Sequence, residues 1–236
     1  MVKVAAVVPA AGCGNRMGSD IKKQFLALDG IPILGYALRV LEASQSVQAV
    51  VVAVGEGEEE YCRQAVVDKL GLRKITAIVS GGKERQDSVY SGLLALAADT
   101  DIVVIHDGVR PLLSVENLEQ VIGDALKYGA ATCAVPVKDT VKMAREGGFV
   151  GKTLPRNRLW LTQTPQAFQY QVILEAHRLA REQNFSATDD AALVERLGLA
   201  VKLVDGNYRN IKITTPEDLI VAAAMLEAAQ AGGGQI

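Results

Sequence analysis

Val4-Ala5-Ala6-Val7-Val8-Pro9-Ala10-Ala11-Gly12-Cys13-Gly14-Asn15-Arg16-Met17-Gly18 begins with an apolar run and ends in small residues and glycines. The apolar run predicts a buried strand. Backbone N–H groups of a glycine-rich loop after a strand can approach an anion closely. Arg16, and Lys23 in the following Lys22-Lys23-Gln24, place positive charge beside this loop. The stretch therefore predicts a strand that opens into a site for a polyphosphate.

Short apolar runs and helical periodicity alternate along most of the chain. The strands predicted from these runs cover residues 4–8, 49–54, 76–79, 102–105, 131–137 and 200–204. The predicted helices cover residues 33–43, 59–70, 86–97 and 115–128, and Ser114 is the expected N-cap of the last of these. Buried, β-branched strands that alternate with helices predict an α/β fold, with a mostly parallel sheet covered by helices.

This alternation stops after Val137. Residues 138–153 have an alternating pattern around Glu146-Gly147-Gly148, which predicts a hairpin with its turn at the glycines. Because such a hairpin has little core to cover, we expect a β-arm, about residues 138–158, that packs on a second subunit. The arm would project from a single domain spanning residues 1–236.

Helical patterns resume near the C-terminal end. Helices are predicted over residues 170–183 and 189–197, with Thr188 as the cap of the second. Thr215-Pro216-Glu217-Asp218 predicts the start of a last helix that ends near Ala229.

The composition restricts the class of protein. Lys and Arg total 25 against 27 Asp and Glu, which gives no support to a nucleic-acid-binding protein. The three cysteines have neither metal-ligand spacing nor an even count, and a reducing cytoplasm is the simplest interpretation. The apolar run at 4–8 is too short for a signal peptide, and no segment is long and apolar enough to span a bilayer.

The first loop has competing interpretations. Its glycines also occur in dinucleotide-binding folds, but no acidic residue follows the second predicted strand, since Val54 precedes Gly55. Two basic residues in the loop suit a polyphosphate better, and the Gly-Lys-Ser/Thr of a Walker loop is missing. A tight turn with solvated lysines remains the non-functional alternative.

A second motif, Ile105-His106-Asp107-Gly108-Val109-Arg110-Pro111, follows a predicted strand at its carboxyl end, where open α/β sheets bind ligands. Asp107 is a candidate magnesium ligand, directly or through water. His106 is expected in a structural, hydrogen-bonded role rather than as a base. Arg110 fits a structural salt bridge and an anion contact equally well.

Two further segments carry candidate residues. In Gly81-Gly82-Lys83-Glu84-Arg85-Gln86-Asp87-Ser88-Val89, the backbone of Gly82 and the hydroxyl of Ser88 could contact a base or a sugar; the alternative is an ordinary glycine-rich turn. In Asn210-Ile211-Lys212-Ile213-Thr214, alternation places Lys212 opposite its apolar neighbours. The pattern favours a surface lysine on an edge strand over a cation directed into a site.

Together these motifs resemble one family, the 2-C-methyl-D-erythritol 4-phosphate cytidylyltransferases of the non-mevalonate isoprenoid route. Asp139-Thr140-Val141-Lys142, Arg156-Asn157 and Thr164-Pro165-Gln166 add to the resemblance, which covers the chain from Val4 to about Leu226. It implies a Rossmann-like nucleotidyltransferase fold, a homodimer, and a reaction of CTP with the methylerythritol phosphate. The products would be the CDP-alcohol and pyrophosphate, with Mg²⁺ as cofactor.

The resemblance also implies roles for individual residues. Arg16, Lys23 and Lys212 would be catalytic, and Asp107, Thr164 and Lys212 would contact the alcohol phosphate. Thr140 and Arg156 would reach the site of the partner subunit. The residues implied in nucleotide binding are Ala10, Ala11, Gly12, Gly82, Lys83, Ser88 and Gly108.

Two positions depart from the family pattern: Arg209 and Lys83 stand where some relatives carry acidic residues. Two other functions therefore remain open, a ribitol-5-phosphate cytidylyltransferase and, with less support, a nucleotide-binding regulator without turnover.

Overall fold

The computed structural model describes residues 2–12 and 22–231. Its strands are β1 (Val4–Ala10), β2 (Ala27–Leu28), β3 (Ile31–Pro32), β4 (Val47–Val54), β5 (Ile75–Ser80), β6 (Ile102–Ile105), β7 (Ala130–Pro136), β8 (Lys142–Ala144), β9 (Val150–Thr153), β10 (Trp160–Gln169) and β11 (Lys202–Asp205). Its helices are α1 (Ile33–Ala43), α2 (Glu59–Cys62), α3 (Arg85–Leu94), α4 (Val115–Tyr128), α5 (Tyr170–Glu182), α6 (Asp190–Arg196) and α7 (Pro216–Ala231). A π-helical segment, Arg63–Asp68, continues α2.

The main sheet has the strand order β11-β7-β10-β6-β1-β4-β5. Neighbouring strands are parallel except where β10 pairs antiparallel with β6 and β7. This confirms the predicted α/β class with a mostly parallel sheet, and the predicted strands coincide with observed ones within a few residues.

Strand β10 is absent from the sequence prediction although it lies inside the sheet. The reason is Pro165, which cannot donate to a strand ladder and therefore argues against a central strand. In the structure the ladder between β10 and β7 is irregular between Thr162 and Gln166, so the proline lies at this interruption. The peptide bond between Thr164 and Pro165 is cis.

Both faces of the sheet are covered, as continuous apolar strands require. Alternate residues of β1 divide between two clusters of buried side chains: Val8 packs with residues of α1 and α4, whereas Val7 packs with residues of α3 and α5. A third cluster joins α1 and α7 through Tyr36, Ile213 and Leu226. The sheet is thereby packed between helices, and its strand ends carry the loops described below.

Strands β8 and β9 form the predicted hairpin, with a short 3₁₀ turn over Glu146–Gly148 between them. Every residue of both strands is exposed. The hairpin therefore contributes nothing to the core described above.

Two local predictions are wrong. The cap of α6 is Asp189, whose side chain accepts from the backbone N of Ala192, and not Thr188. Residues 210–214 are not an edge strand, because the segment is held instead by a hydrogen bond from Ile213 N to Val109 O (2.9 Å). By contrast, Ser114 caps α4 as expected.

Two of the three cysteines, Cys62 and Cys133, are described, and both are buried and free. Burial raises the pKa of Cys62 to about 12 and that of Cys133 to about 11, so neither is a reactive thiolate at neutral pH. Among the helices in the described ranges, none has the length and apolar character needed to cross a membrane.

Candidate active site

Ala11 and Gly12, which directly follow β1, meet the loops after β5 and β6 at the carboxyl edge of the sheet, and together they enclose a pocket, here called the loop pocket. This position follows from the fold, because parallel strands bring their carboxyl ends to one edge. The residues that line it are Pro9, Ala10, Ala11, Gly12, Lys23, Gln24, Gly82, Lys83, Glu84, Arg85, Ser88, Asp107, Val109 and Lys212. Four separately predicted motifs are therefore brought together.

A second depression, the side pocket, shares three of these residues and lies between the β6 loop and β10. It is lined by Arg85, Asp107, Arg110, Thr162, Gln163, Thr164, Gln166, Thr188, Asp189 and Lys212. Because Arg85, Asp107 and Lys212 line both pockets, ligands in the two would meet at these three side chains.

The loop after β5 is shaped by close contacts. A Cβ at position 82 would lie 2.2 Å from the Cβ of Asp87, so only glycine fits there. Ser88 is buried, and its hydroxyl accepts from Gly82 N (3.2 Å) while donating to Glu84 O (3.2 Å). The hydroxyl predicted to contact a nucleotide therefore also holds the loop in place.

Asp107 is enclosed by three cationic side chains. Its Oδ1 accepts from Arg85 Nε at 2.8 Å, and its Oδ2 lies 2.8 Å from Lys212 Nζ and 3.7 Å from Arg110 Nε. Burial alone would raise the pKa of Asp107, but Arg85, Lys212 and Arg110 outweigh it and hold the pKa well below its usual range. The carboxylate is therefore ionised, and the cluster of four groups carries a net positive charge.

The backbone around Asp107 is fixed by β10. Asp107 N donates to Thr164 Oγ1 (3.0 Å), and Asn210 Nδ2 donates to Thr164 O (2.7 Å). Thr164, predicted to contact the alcohol phosphate, is itself buried. It joins the β6 loop to the segment that carries Lys212.

His106 is fully buried and has a structural role, as predicted. Since a carbonyl oxygen only accepts, Nε2–H donates to Arg110 O (3.2 Å), and Nδ1 then accepts from the hydroxyl of Thr164 (3.0 Å). Burial lowers the pKa of His106 to about 4 despite the adjacent Asp107. The imidazole is thus neutral at pH 7 and already engaged at both nitrogens.

Lys212 lies in the site rather than on the surface, so the sequence preference for a surface lysine is wrong. The hydrogen bond from Ile213 N to Val109 O fixes the segment against the β6 loop, and Ile213 is buried. Because Ile213 faces the core, the preceding side chain faces the pocket and reaches Asp107.

Lys22, Lys23 and Gln24 separate into different environments. Lys22 pairs with Glu58, with Nζ 2.7 Å from Oε1, whereas Lys23 and Gln24 line the loop pocket. Gln24 is buried, and its Nε2 has no hydrogen-bond partner among the described residues. An amide donor in that state is available to an acceptor that enters the pocket.

Sequence reasoning did not single out Arg85 or Asp190. Arg85 connects Asp107 to Asp190, since its Nη1 donates to Asp190 Oδ2 at 2.7 Å. Arg85 stands within the glycine-rich motif at residues 81–89, but only a contact between residues distant in sequence identifies its role. Asp190 follows a helix cap and carries no signal beyond that.

Other predicted residues lie apart from the pockets. Arg16 falls outside the described residues. Gly108 is buried against Leu34 and Ala10 and does not line either pocket. Thr140 and Arg156 are exposed near the hairpin, where Arg156 Nη1 donates to Lys138 O (2.8 Å).

The two residues that depart from the family pattern, Arg209 and Lys83, lie in different environments. Arg209 donates through Nη2 to Met225 O (2.8 Å) on α7 and lines neither pocket. Lys83 is exposed and lines the loop pocket, so its ammonium can approach a bound anion.

Asp107 does not fit the expected role of a magnesium ligand. Both of its oxygens are already engaged by cations, which would repel a divalent ion. Across residues 2–12 and 22–231, no three His, Cys, Asp or Glu side chains lie together where they could jointly hold a metal ion.

The family model described as 2-C-methyl-D-erythritol 4-phosphate cytidylyltransferase matches residues 4–228. The chain belongs to this family. It is accordingly an enzyme, a nucleotidyltransferase of the cytidylyltransferase class, and the match spans the glycine-rich loop, the β6 loop and the Lys212 segment.

Individual relatives agree with this assignment. The chain is 61% identical to a protein of that name from Pelotomaculum thermopropionicum, over 99% of this chain and 100% of the relative. A second, from Desulforamulus reducens, is 50% identical over 96% and 97% of the two chains.

Solved structures of the family share the fold. A 4-diphosphocytidyl-2C-methyl-D-erythritol synthase from Anaerococcus prevotii has a TM-score of 0.84 at 30% identity, covering 96% of this chain and 99% of that one. The cytidylyltransferase from Thermus thermophilus has a TM-score of 0.79 at 34% identity, covering 96% and 100%.

Proposed function

We propose that this enzyme joins CTP and 2-C-methyl-D-erythritol 4-phosphate to give 4-diphosphocytidyl-2-C-methyl-D-erythritol and pyrophosphate, in non-mevalonate isoprenoid biosynthesis. The observation that carries the proposal is the meeting of two pockets at Arg85, Asp107 and Lys212. The glycine-rich loop pocket suits a nucleoside triphosphate, and the side pocket, with its hydroxyl and amide side chains, suits a phosphorylated polyol.

The reaction needs no general base. The nucleophile is a phosphate monoester whose second pKa is about 6, so it is already largely dianionic at neutral pH. Consistent with this, His106 is buried and hydrogen-bonded at both ring nitrogens. His177 is likewise buried and its Nε2 is engaged by Asp190.

The requirement is instead to bring two anions together. Lys23, Lys83, Arg85 and Lys212 line the loop pocket and supply positive charge around it. Arg16, carried by the same glycine-rich motif, is proposed to act with Lys23 at the α-phosphate. Preorganised cations directed at developing charge accelerate such transfers, each by about 10²–10³.

Magnesium is proposed to bind with the nucleotide, through phosphate oxygens, rather than on Asp107. This follows from the occupied carboxylate, and phosphates are ordinary ligands of Mg²⁺. Titration calorimetry with Mg²⁺ alone and with Mg²⁺ plus CTP tests it: binding of the free ion with an affinity that Asp107→Asn abolishes would contradict the proposal.

The enzyme is further proposed to be a cytoplasmic homodimer in which the hairpin carries Thr140 and Arg156 to the partner's site. The dimer is supported by the full exposure of β8 and β9, which include the apolar residues Met143 and Val150. The cytoplasmic location is supported by the free thiols of Cys62 and Cys133.

Release of pyrophosphate from CTP, measured with a panel of polyol phosphates, tests the function. Methylerythritol phosphate is expected to give the highest kcat/KM, and ribitol 5-phosphate is the essential comparison. Preference for ribitol 5-phosphate would replace the proposed substrate. CTP binding without pyrophosphate release from any member of the panel would indicate a regulator.

A further inference from the structure

Behind the two pockets, a chain of hydrogen-bonded polar and charged groups runs from the core to Lys212. His177 Nε2 lies 3.0 Å from Asp190 Oδ1, Asp190 Oδ2 accepts from Arg85 Nη1 at 2.7 Å, and Arg85 Nε donates to Asp107 Oδ1 at 2.8 Å. Asp107 Oδ2 then meets Lys212 Nζ at 2.8 Å. Each link is short, so the position of each group depends on the one behind it.

Asp190 is the inner carboxylate of this chain, and its side chain is only 1% exposed. It lines neither pocket and therefore cannot touch a ligand bound in them. Its own place is fixed by the backbone, because Asp190 N donates to Gln166 Oε1 (3.1 Å), and by the hydrogen bond from His177. A buried charge held this firmly serves as an anchor for its partner.

Arg85 transmits this anchoring because it uses different N–H groups for the two carboxylates. The guanidinium is planar and rigid, so fixing Nη1 on Asp190 also fixes the direction of Nε toward Asp107. Burial alone would lower the pKa of Arg85, but Asp190 and Asp107 outweigh it and raise the pKa. The guanidinium of Arg85 is therefore fully charged at any working pH.

We propose that Asp190 is a positioning residue for the transfer reaction, holding Arg85 and Asp107 so that the ammonium of Lys212 faces the junction of the two pockets. Without the charge at position 190, Arg85 turns toward Asp107 and competes with Lys212 for its oxygens. Lys212 then loses its defined position. This inference rests on the proposed function, since Lys212 matters only if the alcohol phosphate binds there.

Asp190→Asn is the direct test, because it removes the charge with little change of shape. We expect kcat/KM for the alcohol phosphate to fall by about 10- to 100-fold, as a displacement of about 1 Å can cause. The KM for CTP should stay within about twofold, since the loop pocket is also lined by Lys23, Lys83 and the glycine-rich backbone, none of which Asp190 contacts. Glu195→Gln, the same change at an exposed position of α6, is the matched control and should behave as wild type.

Arg85→Lys is the second variant, and it keeps the proposal testable if Asp190→Asn does not fold. It retains the charge, but a single ammonium cannot reproduce the fixed two-armed bridge. Its kcat/KM for the alcohol phosphate should fall in the same way, and the double variant should be no worse than the more impaired single variant. Urea unfolding of each variant separates loss of the bridge from loss of the fold.

A folded Asp190→Asn or Arg85→Lys enzyme with wild-type kinetics would overturn the proposal. So would an equal loss toward both substrates that follows stability alone, which is the behaviour of a purely structural residue. The comparison is made with whichever polyol phosphate the wild type uses best. A wild type inactive with methylerythritol phosphate therefore rejects the proposed substrate, whereas unaffected variants reject the positioning role.

Discussion

At the scale of single residues, neighbouring side chains of one type are used differently. Lys22 pairs with Glu58, while Lys23, one position later, lines the loop pocket. A 3₁₀ turn, Lys23–Phe25, begins directly after Lys22, and its other two residues, Gln24 and Phe25, are buried. The chain therefore changes conformation between the two lysines, and their side chains lie in different surroundings. The pair provides a matched comparison for the charge-compensation mechanism.

Lys23→Ala is expected to lower kcat by about 10²–10³, while the Kd for CTP changes much less. The reason is that Lys23 is proposed to stabilise charge that develops at the α-phosphate rather than charge already present. Steady-state kinetics and calorimetry measure the two effects, with Lys22→Ala as the control of near-normal turnover. Equal losses in turnover and CTP affinity would contradict a role in the transition state.

Arg16→Lys is also expected to lose turnover, because the single ammonium of lysine cannot reproduce the paired hydrogen bonds of a planar guanidinium to phosphate oxygens. We expect its kcat to fall at least tenfold, with Arg16→Ala as the reference for complete loss. A lysine variant with wild-type turnover would exclude a bidentate contact.

His106 gives the fold a pH dependence of its own. Burial lowers its pKa to about 4 in the folded protein, against about 6.5 when unfolded, so between these values only the unfolded state takes up the proton. The part of the stability that depends on a neutral His106 is therefore present above about pH 6.5 and is lost as the pH drops toward 4. The loss between pH 7.5 and pH 5 should be about 2 kcal/mol.

Urea unfolding of the wild type and of His106→Gln at several pH values measures this contribution. The variant will be less stable overall because it loses a hydrogen bond, but its stability should change less between pH 7.5 and 5. Asp107 and Asp190 make the stability depend on pH only at lower pH, since their pKa values are lowered from an ordinary value that is already near 4. Parallel pH profiles would disprove the assignment to His106.

At the scale of elements, α4 follows its sequence closely. Leu118, Val121, Ile122 and Ala125 form the buried stripe that the helical period predicts. Ser114 begins the helix by accepting from Asn117 N at 3.2 Å. Strand β10 differs, because its proline conceals a strand that only pairing with β6 and β7 reveals.

Ser114→Ala should lower the free energy of unfolding by about 1 kcal/mol, because the first turn of α4 loses its side-chain cap. Ser114→Asp, which restores an acceptor and adds a favourable charge at the helix N-terminus, should recover most of it. Denaturant unfolding of the three proteins is the measurement. Equal stability of the alanine and aspartate variants would show that the cap contributes nothing.

At the scale of the whole molecule, the hairpin lies apart from both pockets of its own subunit. Thr140 and Arg156 line neither pocket, whereas Lys212 lines both. If the homodimer shares its sites, Arg156 of one subunit and Lys212 of the other belong to one site. Defects in these residues should then complement one another.

Equal amounts of Arg156→Ala and Lys212→Ala subunits, unfolded together and refolded, are expected to recover about a quarter of the wild-type sites. Random pairing makes half of the dimers mixed, and each mixed dimer has one intact site. Each variant refolded alone gives the baseline. Recovery no greater than that baseline would mean that every site is built within one chain.

The sequence by itself determined the alternation of strands and helices, the exposed hairpin, and the loops that carry the chemistry. These features are local, since they depend on periodicity, turn residues and the fact that parallel strands end at one edge. Tertiary structure alone decided that Lys212 turns inward, that Asp107 is surrounded by cations, and that Asp190 and Arg85 lie behind them. Those facts depend on contacts between residues up to about a hundred positions apart, such as Arg85 with Asp190, and local patterns carry no record of such contacts.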